Sequence, residues 1–239
     1  MNLKILYEDN DALVIDKPAG IVVFPEGETK GNTVIDALLE KYPDLKSVGE
    51  APRYGIVHRL DKDTSGLLLV AKTTKVLIFL QKQFKNREVE KKYTALVCGT
   101  AKDDYGEIKT LIGRSPQDPR KQKAYSLEEL NKIGKREAIT EYKVLERFEK
   151  YTLLEVQIKT GRKHQIRCHL AYIHHPIAGD KTYGFKDSPM PEGLTRQFLH
   201  ASYLKIQLSN GQTKEFRSEL PEELEIVIKN IESGILNLE

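Results

Sequence analysis

Short hydrophobic runs bounded by glycine, proline and polar residues recur along the chain and predict strands joined by turns. In the first half, the predicted strands are LKILYE (3–8), ALVIDK (12–17), IVVF (21–24), LLLVAK (67–72) and KKYTALVCG (91–99). Because LLLVAK is apolar almost throughout, we expect this strand to be buried on both faces.

Other segments repeat their apolar residues at intervals of three and four, which predicts amphipathic helices. The predicted helices are NTVIDALLEKYP (32–43), TTKVLIFLQKQFKN (73–86), KHQIRCHLAYI (163–173) and PEELEIVIKNI (221–231). Asn32 or Thr33 is the expected cap of the first helix. In the second helix, the residues expected to share one face are Val76, Phe79, Leu80 and Phe84.

Alternating patterns in the second half predict two antiparallel hairpins. They are AITEYKVLERF (138–148) with YTLLEVQIKT (151–160), and FLHASYLKIQLSNGQTKEFR (198–217). Glu149 and Lys150 would join the first, and Asn210 with Gly211 would supply the positive φ angles of a tight turn in the second. Long hairpins mixed with helices predict an α+β protein with a mixed, mostly antiparallel central sheet and flanking helices. Because no linker or repeat is visible, residues 1–239 are expected to form a single domain.

The composition is that of an ordinary globular protein, with 239 residues, 39% of them hydrophobic and 31% charged. No apolar stretch approaches the ~20 residues that cross a bilayer, and the polar N-terminus does not resemble a signal peptide. We therefore expect a cytoplasmic protein, and a monomer. Cys98 and Cys168 lie in unrelated contexts, which indicates neither a disulfide nor a metal site.

Charge is unevenly distributed, although the net charge is only +3. Residues 108–125 hold five Lys or Arg against one Asp, and residues 158–175 hold four against no acid. Residues 215–239, by contrast, hold seven acids and two bases. This distribution predicts a face that binds a polyanion. The alternative for any single basic run is a solvated loop.

The histidines raise the question of a metal site. Four of them lie close together: His164, His169, His174 and His175. Zinc helices usually place two histidines four residues apart with a glutamate between them, whereas His164 and His169 are five apart. Structural roles or contacts with the polyanion are therefore favoured, and no metal is predicted. His58 and His200 are expected to be hydrogen-bonding framework residues.

The stretch HRLDKDTSGLLLVAKT (58–73) places Asp61 and Asp63 in a polar loop directly before an apolar strand. A kinase catalytic loop has the order His-Arg-Asp-Leu and a later Asn, which this stretch lacks. An aspartyl phosphatase would match the two aspartates, but its site usually follows an apolar strand and needs further carboxylates for magnesium. Neither template fits.

This stretch resembles the signature of the RluA-type RNA pseudouridine synthases, and other segments resemble the family's motifs in the family's order. Those segments are ILYEDNDALVIDKPAGIVVFP, VEKKYTALVCG, TGRKHQIRCHL, HHPIAGDKTYG and FLHASYL. The resemblance extends from residue 3 to about residue 217. It implies the pseudouridine synthase fold and an enzyme that isomerises uridines in large-subunit ribosomal RNA or transfer RNA without a cofactor.

The resemblance also implies residue roles. Asp61 would be the catalytic carboxylate, Tyr93 the aromatic residue beside the target uracil, and Arg167 the partner that keeps Asp61 ionised. Arg59 would fill the stack vacated by the flipped nucleotide. The residues expected to hold the RNA backbone are Lys121, Lys123, Arg162 and Lys163.

The chemistry is compatible with these residue types. Pseudouridine formation breaks the bond from C1′ to N1 and joins C1′ to C5, so no electrons leave and no metal is required. A carboxylate can attack C1′ or remove a sugar proton, and both routes stay open. In a pocket without water, a carboxylate stays ionised only beside a fixed cation, for which a guanidinium is well suited. Lys62 and Asp63 would then be solvated loop residues.

One rival reading is a non-catalytic RNA-binding or RNA-folding module with the same fold. A remoter rival is the aspartyl phosphatase, which would depend on magnesium. Many relatives also carry a small RNA-binding S4 domain ahead of the catalytic part. Because Met1 lies only two residues before the first predicted strand, we expect this domain to be absent and the choice of RNA to rest with the catalytic domain and its loops.

Overall fold

Most of the strands and helices follow the predicted order along the chain, but the strands at 105–114 and 122–125 were not predicted. The computed structural model describes residues 3–25 and 32–236, within which there are ten strands and four α-helices. The strands are β1 (Lys4–Glu8), β2 (Ala12–Lys17), β3 (Ser65–Ala71), β4 (Glu90–Cys98), β5 (Tyr105–Arg114), β6 (Gln122–Tyr125), β7 (Arg136–Arg147), β8 (Tyr151–Ile158), β9 (Leu199–Gln207) and β10 (Thr213–Arg217). The helices are α1 (Val34–Lys41), α2 (Thr74–Asn86), α3 (Gln165–Tyr172) and α4 (Glu222–Leu236).

The chain divides into two compact units. Unit 1 consists of Met1–Lys91 and Ala201–Glu219, and unit 2 consists of Lys92–His200 and Leu220–Glu239. Strand pairing is mostly antiparallel, so the predicted α+β class is confirmed. The single domain stays a prediction.

In unit 1 the strand order is β1, β2, β3 and β9, with β10 paired to β9. Ile15 of β2 lies opposite Ile5 of β1 on one side and Leu68 of β3 on the other. Every residue of β3 is buried, which confirms the prediction for LLLVAK. Helix α2 packs against β3. The centre of this unit therefore lies on β2 and β3, directly after the loop that carries Asp61.

The predicted strand IVVF is wrong, because residues 21–24 have no strand partner and form an irregular segment. The carbonyls of Val22 and Val23 accept hydrogen bonds from the N–H groups of Val34 and Ile35, at 3.0 and 2.9 Å. These N–H groups begin helix α1 and have no acceptor within the helix. The segment therefore uses its backbone groups on a helix end instead of a strand ladder.

The four α-helices lie where the sequence predicts them, but the buried face of α2 differs in part from the prediction. Thr33 is the cap of α1, and it forms a capping box with Asp36. In α2 the buried positions are Val76, Leu77, Leu80 and Gln83. Val76 and Leu80 therefore lie on the buried face as predicted, whereas Phe79 and Phe84, which were predicted on the same face, are only half-buried.

In unit 2 the strand order is β4, β8, β7, β5 and β6. Strands β7 and β8 form the predicted hairpin, which the N–H of Phe148 closes on the carbonyl of Tyr151 at 2.9 Å. Helix α3 packs against β5, β6 and β7. The cluster under this helix consists of Ile112, Ala124, Ala138 and Cys168. Cys98 and Cys168 are buried free thiols.

The hairpin of β9 and β10 is confirmed, but its turn differs from the prediction. Gln207 pairs with Thr213, which leaves a loop over residues 208–212. Gly211 has a φ of 84°, whereas Asn210 does not adopt a positive φ. Instead, the Oδ1 atom of Asn210 accepts the N–H of Gln212 at 3.0 Å. None of the described helices is long and apolar enough to cross a membrane.

Candidate active site

Asp61 lies in a turn that leads directly into β3. Its backbone carbonyl accepts the N–H of Thr64 at 3.1 Å, and the carbonyl of Lys62 accepts the N–H of Gly20 at 3.0 Å. The Asp61 side chain is half-buried, Lys62 is exposed and Asp63 is half-buried. Only Lys62 therefore matches the prediction of a solvated residue in this loop.

A buried cation supports the turn that carries Asp61. Lys17, at the end of β2, is fully buried, and its ammonium donates to the carbonyls of Pro18, Ile21 and Lys62 at 2.8, 2.9 and 3.0 Å. A buried ammonium needs acceptors for all three N–H groups. Because one acceptor belongs to Lys62, this lysine ties the Asp61 turn to the turn after β2.

Sequence reasoning assigned no role to Lys17. The available signal was a lysine that follows the segment ALVID, which is apolar except for its aspartate, and that precedes a proline. The acceptor that reaches the Asp61 turn, the carbonyl of Lys62, lies 45 residues away, so no local pattern could identify it.

Gly66 allows a close approach between two strands at the start of β3. Its φ is 111°, a region that side chains rarely adopt. A Cβ atom there would lie 2.7 Å from the backbone nitrogen of Ala201 on β9. The glycine of the TSG sequence is therefore required by backbone contact immediately after the Asp61 turn.

His58 has the predicted framework role. Its Nε2 atom accepts the N–H of Leu69 at 3.1 Å, and its ring stacks on Phe84 with 4.9 Å between centroids. Burial, reinforced by the positive charge of Lys91, lowers the pKa of His58 to about 3. The ring is therefore neutral, with its proton on Nδ1. His200 is buried in β9, and its hydrogen-bonding role stays a prediction.

Arg59 lies over an aromatic ring. Its guanidinium carbon is 5.4 Å from the centroid of Phe24. Burial lowers the pKa of Arg59, whereas the negative charge of Asp61 raises it. Arg59 and Asp61 thus act on each other electrostatically within unit 1. The role of Arg59 toward RNA stays a prediction.

Tyr93 and Arg167 belong to unit 2. Tyr93 lies in β4 opposite Val156 of β8, and its side chain is buried. Arg167 lies in α3, where its Nε donates to Oδ2 of Asp180 at 2.7 Å and its Nη2 donates to Oδ1 at 2.9 Å. The predicted roles of Tyr93 and Arg167 toward Asp61 and the uracil stay predictions.

Asp180 is the residue that sequence reasoning missed in unit 2. Burial raises the pKa of its carboxyl, whereas Arg167 and the N–H groups of Thr182 and Tyr183 lower it. The lowering is larger, so the pKa of Asp180 lies below its ordinary value. The two N–H groups reach Oδ1 at 2.8 and 3.1 Å. Asp180 is therefore a carboxylate that fixes the Arg167 guanidinium. The available signal was its position in the motif HHPIAGDKTYG.

Tyr183 connects this ion pair to its surroundings. Its ring centroid lies 5.1 Å from the Arg167 guanidinium carbon. Its hydroxyl accepts the N–H of Gln122 at 2.8 Å and is 3.0 Å from Nδ1 of His164. Burial is the main reason that the pKa of Tyr183 is raised. The phenol therefore stays protonated and holds β6 and the start of α3 against Arg167.

The four basic residues predicted to hold RNA differ in their contacts with the rest of the protein. Lys121 donates to the carbonyl of Thr182 at 2.9 Å, and Arg162 donates through Nε to the carbonyl of Glu137 at 3.0 Å. Lys123 lies over the ring of Tyr125. Lys163 is exposed just before α3. RNA contact by these four residues stays a prediction.

His169 is structural. Its ring is fully buried, with Nε2 2.9 Å from the Thr110 hydroxyl and Nδ1 2.8 Å from the Thr140 hydroxyl. Burial lowers the pKa of His169 to about 4, so the ring is neutral near pH 7. Within residues 3–25 and 32–236 no group of three or more His, Cys, Asp or Glu side chains is arranged to hold a metal ion.

Three curated proteins illustrate the similarity of this chain to known sequences. An "Uncharacterized RNA pseudouridine synthase" of Aquifex aeolicus is 49% identical over 194 residues, which cover 80% of this chain and 59% of that protein. The protein named YlyB of Bacillus subtilis is 41% identical over 232 residues, covering 97% and 73%. A "Ribosomal large subunit pseudouridine synthase D" of Nitrosomonas europaea is 42% identical over 236 residues, covering 96% and 65%. The chain thus spans less than two thirds of the first and third relatives.

Two solved human structures share the fold. The chain matches "RNA Pseudouridylate Synthase Domain Containing 4" with a TM-score of 0.75 and 26% identity, over 96% of this chain and 93% of the other. It matches "RNA Pseudouridylate Synthase Domain Containing 1" with a TM-score of 0.74 and 28% identity, over 92% and 84%. The predicted pseudouridine synthase fold is confirmed.

A family model described as RNA pseudouridylate synthase matches residues 11–172. This range is more than half of the chain, and it includes Asp61, Tyr93 and Arg167. The chain therefore belongs to the RNA pseudouridylate synthase family.

Proposed function

We propose that this chain is an RNA uridine isomerase, which converts specific uridines of large-subunit ribosomal RNA or transfer RNA into pseudouridine. One observation carries the proposal: Asp61 lies inside the family match, in a turn fixed by the buried ammonium of Lys17. The relative named for the ribosomal large subunit supports ribosomal RNA as the first substrate to test.

In this proposal Asp61 is the catalytic carboxylate. It attacks C1′ of the target nucleotide or removes a sugar proton, and the bond from C1′ to N1 then breaks. The uracil turns and C5 joins C1′. In the first route this step breaks the bond between Asp61 and C1′, and in the second route the sugar takes back the proton that Asp61 removed. The proton on C5 then leaves and N1 takes up a proton, so that atoms and electrons balance without a cofactor. A fixed carboxylate suits both routes, because a reacting group held in place avoids the entropic cost of orientation. The backbone bonds around Asp61 and Lys62 supply that fixation.

Tyr93 and Arg167 complete the proposed chemistry. A phenol stacked on uracil can grip the base and assist the loss of the C5 proton. A guanidinium that keeps Asp61 ionised must itself be held in a fixed orientation. The two bonds from Arg167 to Asp180 are the kind of support that such a role requires.

The target nucleotide must leave its stack before it reacts, which costs a few kcal/mol. We propose that Arg59 fills the resulting gap and that Lys121, Lys123, Arg162 and Lys163 contact the RNA backbone. The protein would act as a single-domain monomer in the cytoplasm, where both candidate RNAs are accessible.

The proposal is tested by tritium release from RNA labelled at C5 of uracil. Transcripts of large-subunit ribosomal RNA and of transfer RNA are assayed separately with the wild-type protein, Asp61→Asn and Asp63→Asn. Asp63 is the matched control, because it is a half-buried carboxylate in the same turn. We expect Asp61→Asn to abolish release and Asp63→Asn to retain most of it.

The alternative class is an RNA-binding module without catalysis. Tight binding with no tritium release from either RNA would support that alternative and contradict the proposal. Equal losses in the two variants would show that the turn matters as a structure and that Asp61 has no special chemical role.

A further inference from the structure

Two arginine side chains of unit 1 share one aromatic ring. The guanidinium carbons of Arg53 and Arg59 lie 4.9 and 5.4 Å from the centroid of Phe24. Phe24 is almost completely buried, whereas Arg53 is exposed. An aromatic face attracts a cation, so the Phe24 ring binds both guanidinium groups. Two positive charges are thereby concentrated beside the segment that leads to Asp61.

Backbone hydrogen bonds hold the segment before the Phe24 ring and the turn that carries Arg53. Phe24 follows Val22 and Val23, whose carbonyls are bound to the first turn of α1. Arg53 lies in a turn in which its N–H donates to the carbonyl of Glu50 at 3.0 Å and its carbonyl accepts the N–H of Ile56 at 2.9 Å. The arginine therefore projects from a hydrogen-bonded turn, and its position is preorganised.

The N–H donors of the Arg53 guanidinium are not used within the part of the chain that the structure describes. Throughout the described ranges, this group contacts the Phe24 ring and makes no hydrogen bond or ion pair with the protein. A guanidinium carries five N–H donors in a planar fork that matches a phosphate group. The ligand chemistry that fits this pair is thus a phosphodiester.

We propose that Arg53 is a further RNA-binding residue, which binds a backbone phosphate beside the nucleotide contacted by Arg59, with Phe24 positioning both arginines. The inference rests on the proposed function for its RNA partner. It adds a residue outside the two basic segments on which the sequence analysis based RNA binding. Arg53 makes no contact with the reacting atoms in this proposal, so its loss should affect binding more than the chemical step.

The test is the salt dependence of binding to a fluorescein-labelled single-stranded oligouridylate, followed by fluorescence anisotropy. Each phosphate contact contributes about 0.7 to the slope of log K against log salt on a single strand. We expect Arg53→Gln to lower the slope by about 0.7 and to weaken binding roughly three- to tenfold near 0.1 M salt. Arg53→Lys keeps the charge and should restore most of the slope. Arg53→Met keeps the aliphatic stem on the ring and serves if the glutamine variant does not fold.

Arg217 provides a matched control in the same unit. Its guanidinium carbon is also 4.9 Å from an aromatic centroid, that of Tyr203, but its Nη2 atom lies 3.7 Å from a carboxylate oxygen of Glu215. Arg217→Gln therefore removes one exposed, stacked arginine without removing a proposed phosphate contact, and it should keep the wild-type slope.

An unchanged slope in the charge-removing Arg53 variant would overturn the proposal, and so would an equal drop in Arg217→Gln. Tritium release by the wild-type protein separates this failure from that of the proposed function. Release with an unchanged slope in Arg53→Gln contradicts only the role of Arg53. Oligouridylate binding with no release from either transcript contradicts the proposed function, while the slope still reports on Arg53.

Discussion

Arg167 and Asp180 form a two-point ion pair in which both side chains are buried, with 8% and 0% of their surfaces exposed. The Nε atom lies 2.7 Å from Oδ2, and Nη2 lies 2.9 Å from Oδ1. Two parallel bonds fix the plane of the guanidinium as well as its position. The orientation of Arg167 therefore depends on a carboxylate that lies thirteen residues later in the chain.

Breaking this pair should be costly, because it leaves one charge buried without its partner. We expect Asp180→Asn to lower the free energy of unfolding by about 3–5 kcal/mol, as measured by urea denaturation. Glu223→Gln is the control, because Glu223 pairs with Arg196 but is 60% exposed. That variant should lose about 1 kcal/mol or less. Similar losses in the two variants would contradict the structural importance of the buried pair.

His169 should make stability depend on pH on the acid side of neutrality. Its folded pKa of about 4 lies below the ordinary value of 6.5, so between these values the unfolded chain binds a proton that the folded protein excludes. The free energy of unfolding should therefore fall as pH falls from about 6.5 to about 4, by up to about 1.4 kcal/mol per pH unit.

Comparison with His169→Gln isolates this contribution. The variant should be less stable than the wild type near pH 7 and should show a shallower decline, because one titrating group is gone. His58 has a pKa lowered to about 3 and contributes in the same direction to both proteins, so it cancels in the difference. Parallel stability curves from pH 4 to 7 would refute the prediction.

Lys17 should control the order of the turn that carries Asp61. In Lys17→Met, three carbonyls lose the buried ammonium that donates to them, and we expect a loss of about 2–4 kcal/mol in the free energy of unfolding. The amides of Gly20 and Thr64 should exchange hydrogen faster, and tritium release should fall. Lys72→Met is the control, because Lys72 bonds the Asp9 carbonyl and Glu8 at a more exposed position. Unaltered exchange at Thr64 would show that Lys17 does not hold the turn.

Gly66 should tolerate no side chain. An alanine there would combine an unfavourable φ with contact against the Ala201 backbone, so Gly66→Ala should cost about 3 kcal/mol or more. Gly161→Ala is the matched control, because a Cβ at Gly161 meets nothing within 4 Å. Its unfolding free energy should stay within about 1 kcal/mol of the wild type. Both are measured by thermal unfolding, and equal melting temperatures for the two variants would disprove the close approach.

Elements whose partners lie next to them in sequence could be predicted well. The hairpin of β7 and β8 follows from two alternating segments with a short connection, and α1 follows from its spacing and its Thr33 cap. The family and its fold were predictable because several motifs occur in order. IVVF was misassigned because its β-branched composition suits a strand, whereas its carbonyls bind the first turn of α1.

The sequence by itself determined the class of fold, the family and the residues proposed for chemistry, since periodicity and motif order are properties of the chain alone. Only the tertiary structure decided which polar groups meet. Lys17 binds a carbonyl 45 residues away, Arg167 binds Asp180, and Arg53 shares the Phe24 ring with Arg59. The physical reason is that a buried polar group takes whichever partner the packed backbone places within reach, and local sequence does not encode that placement.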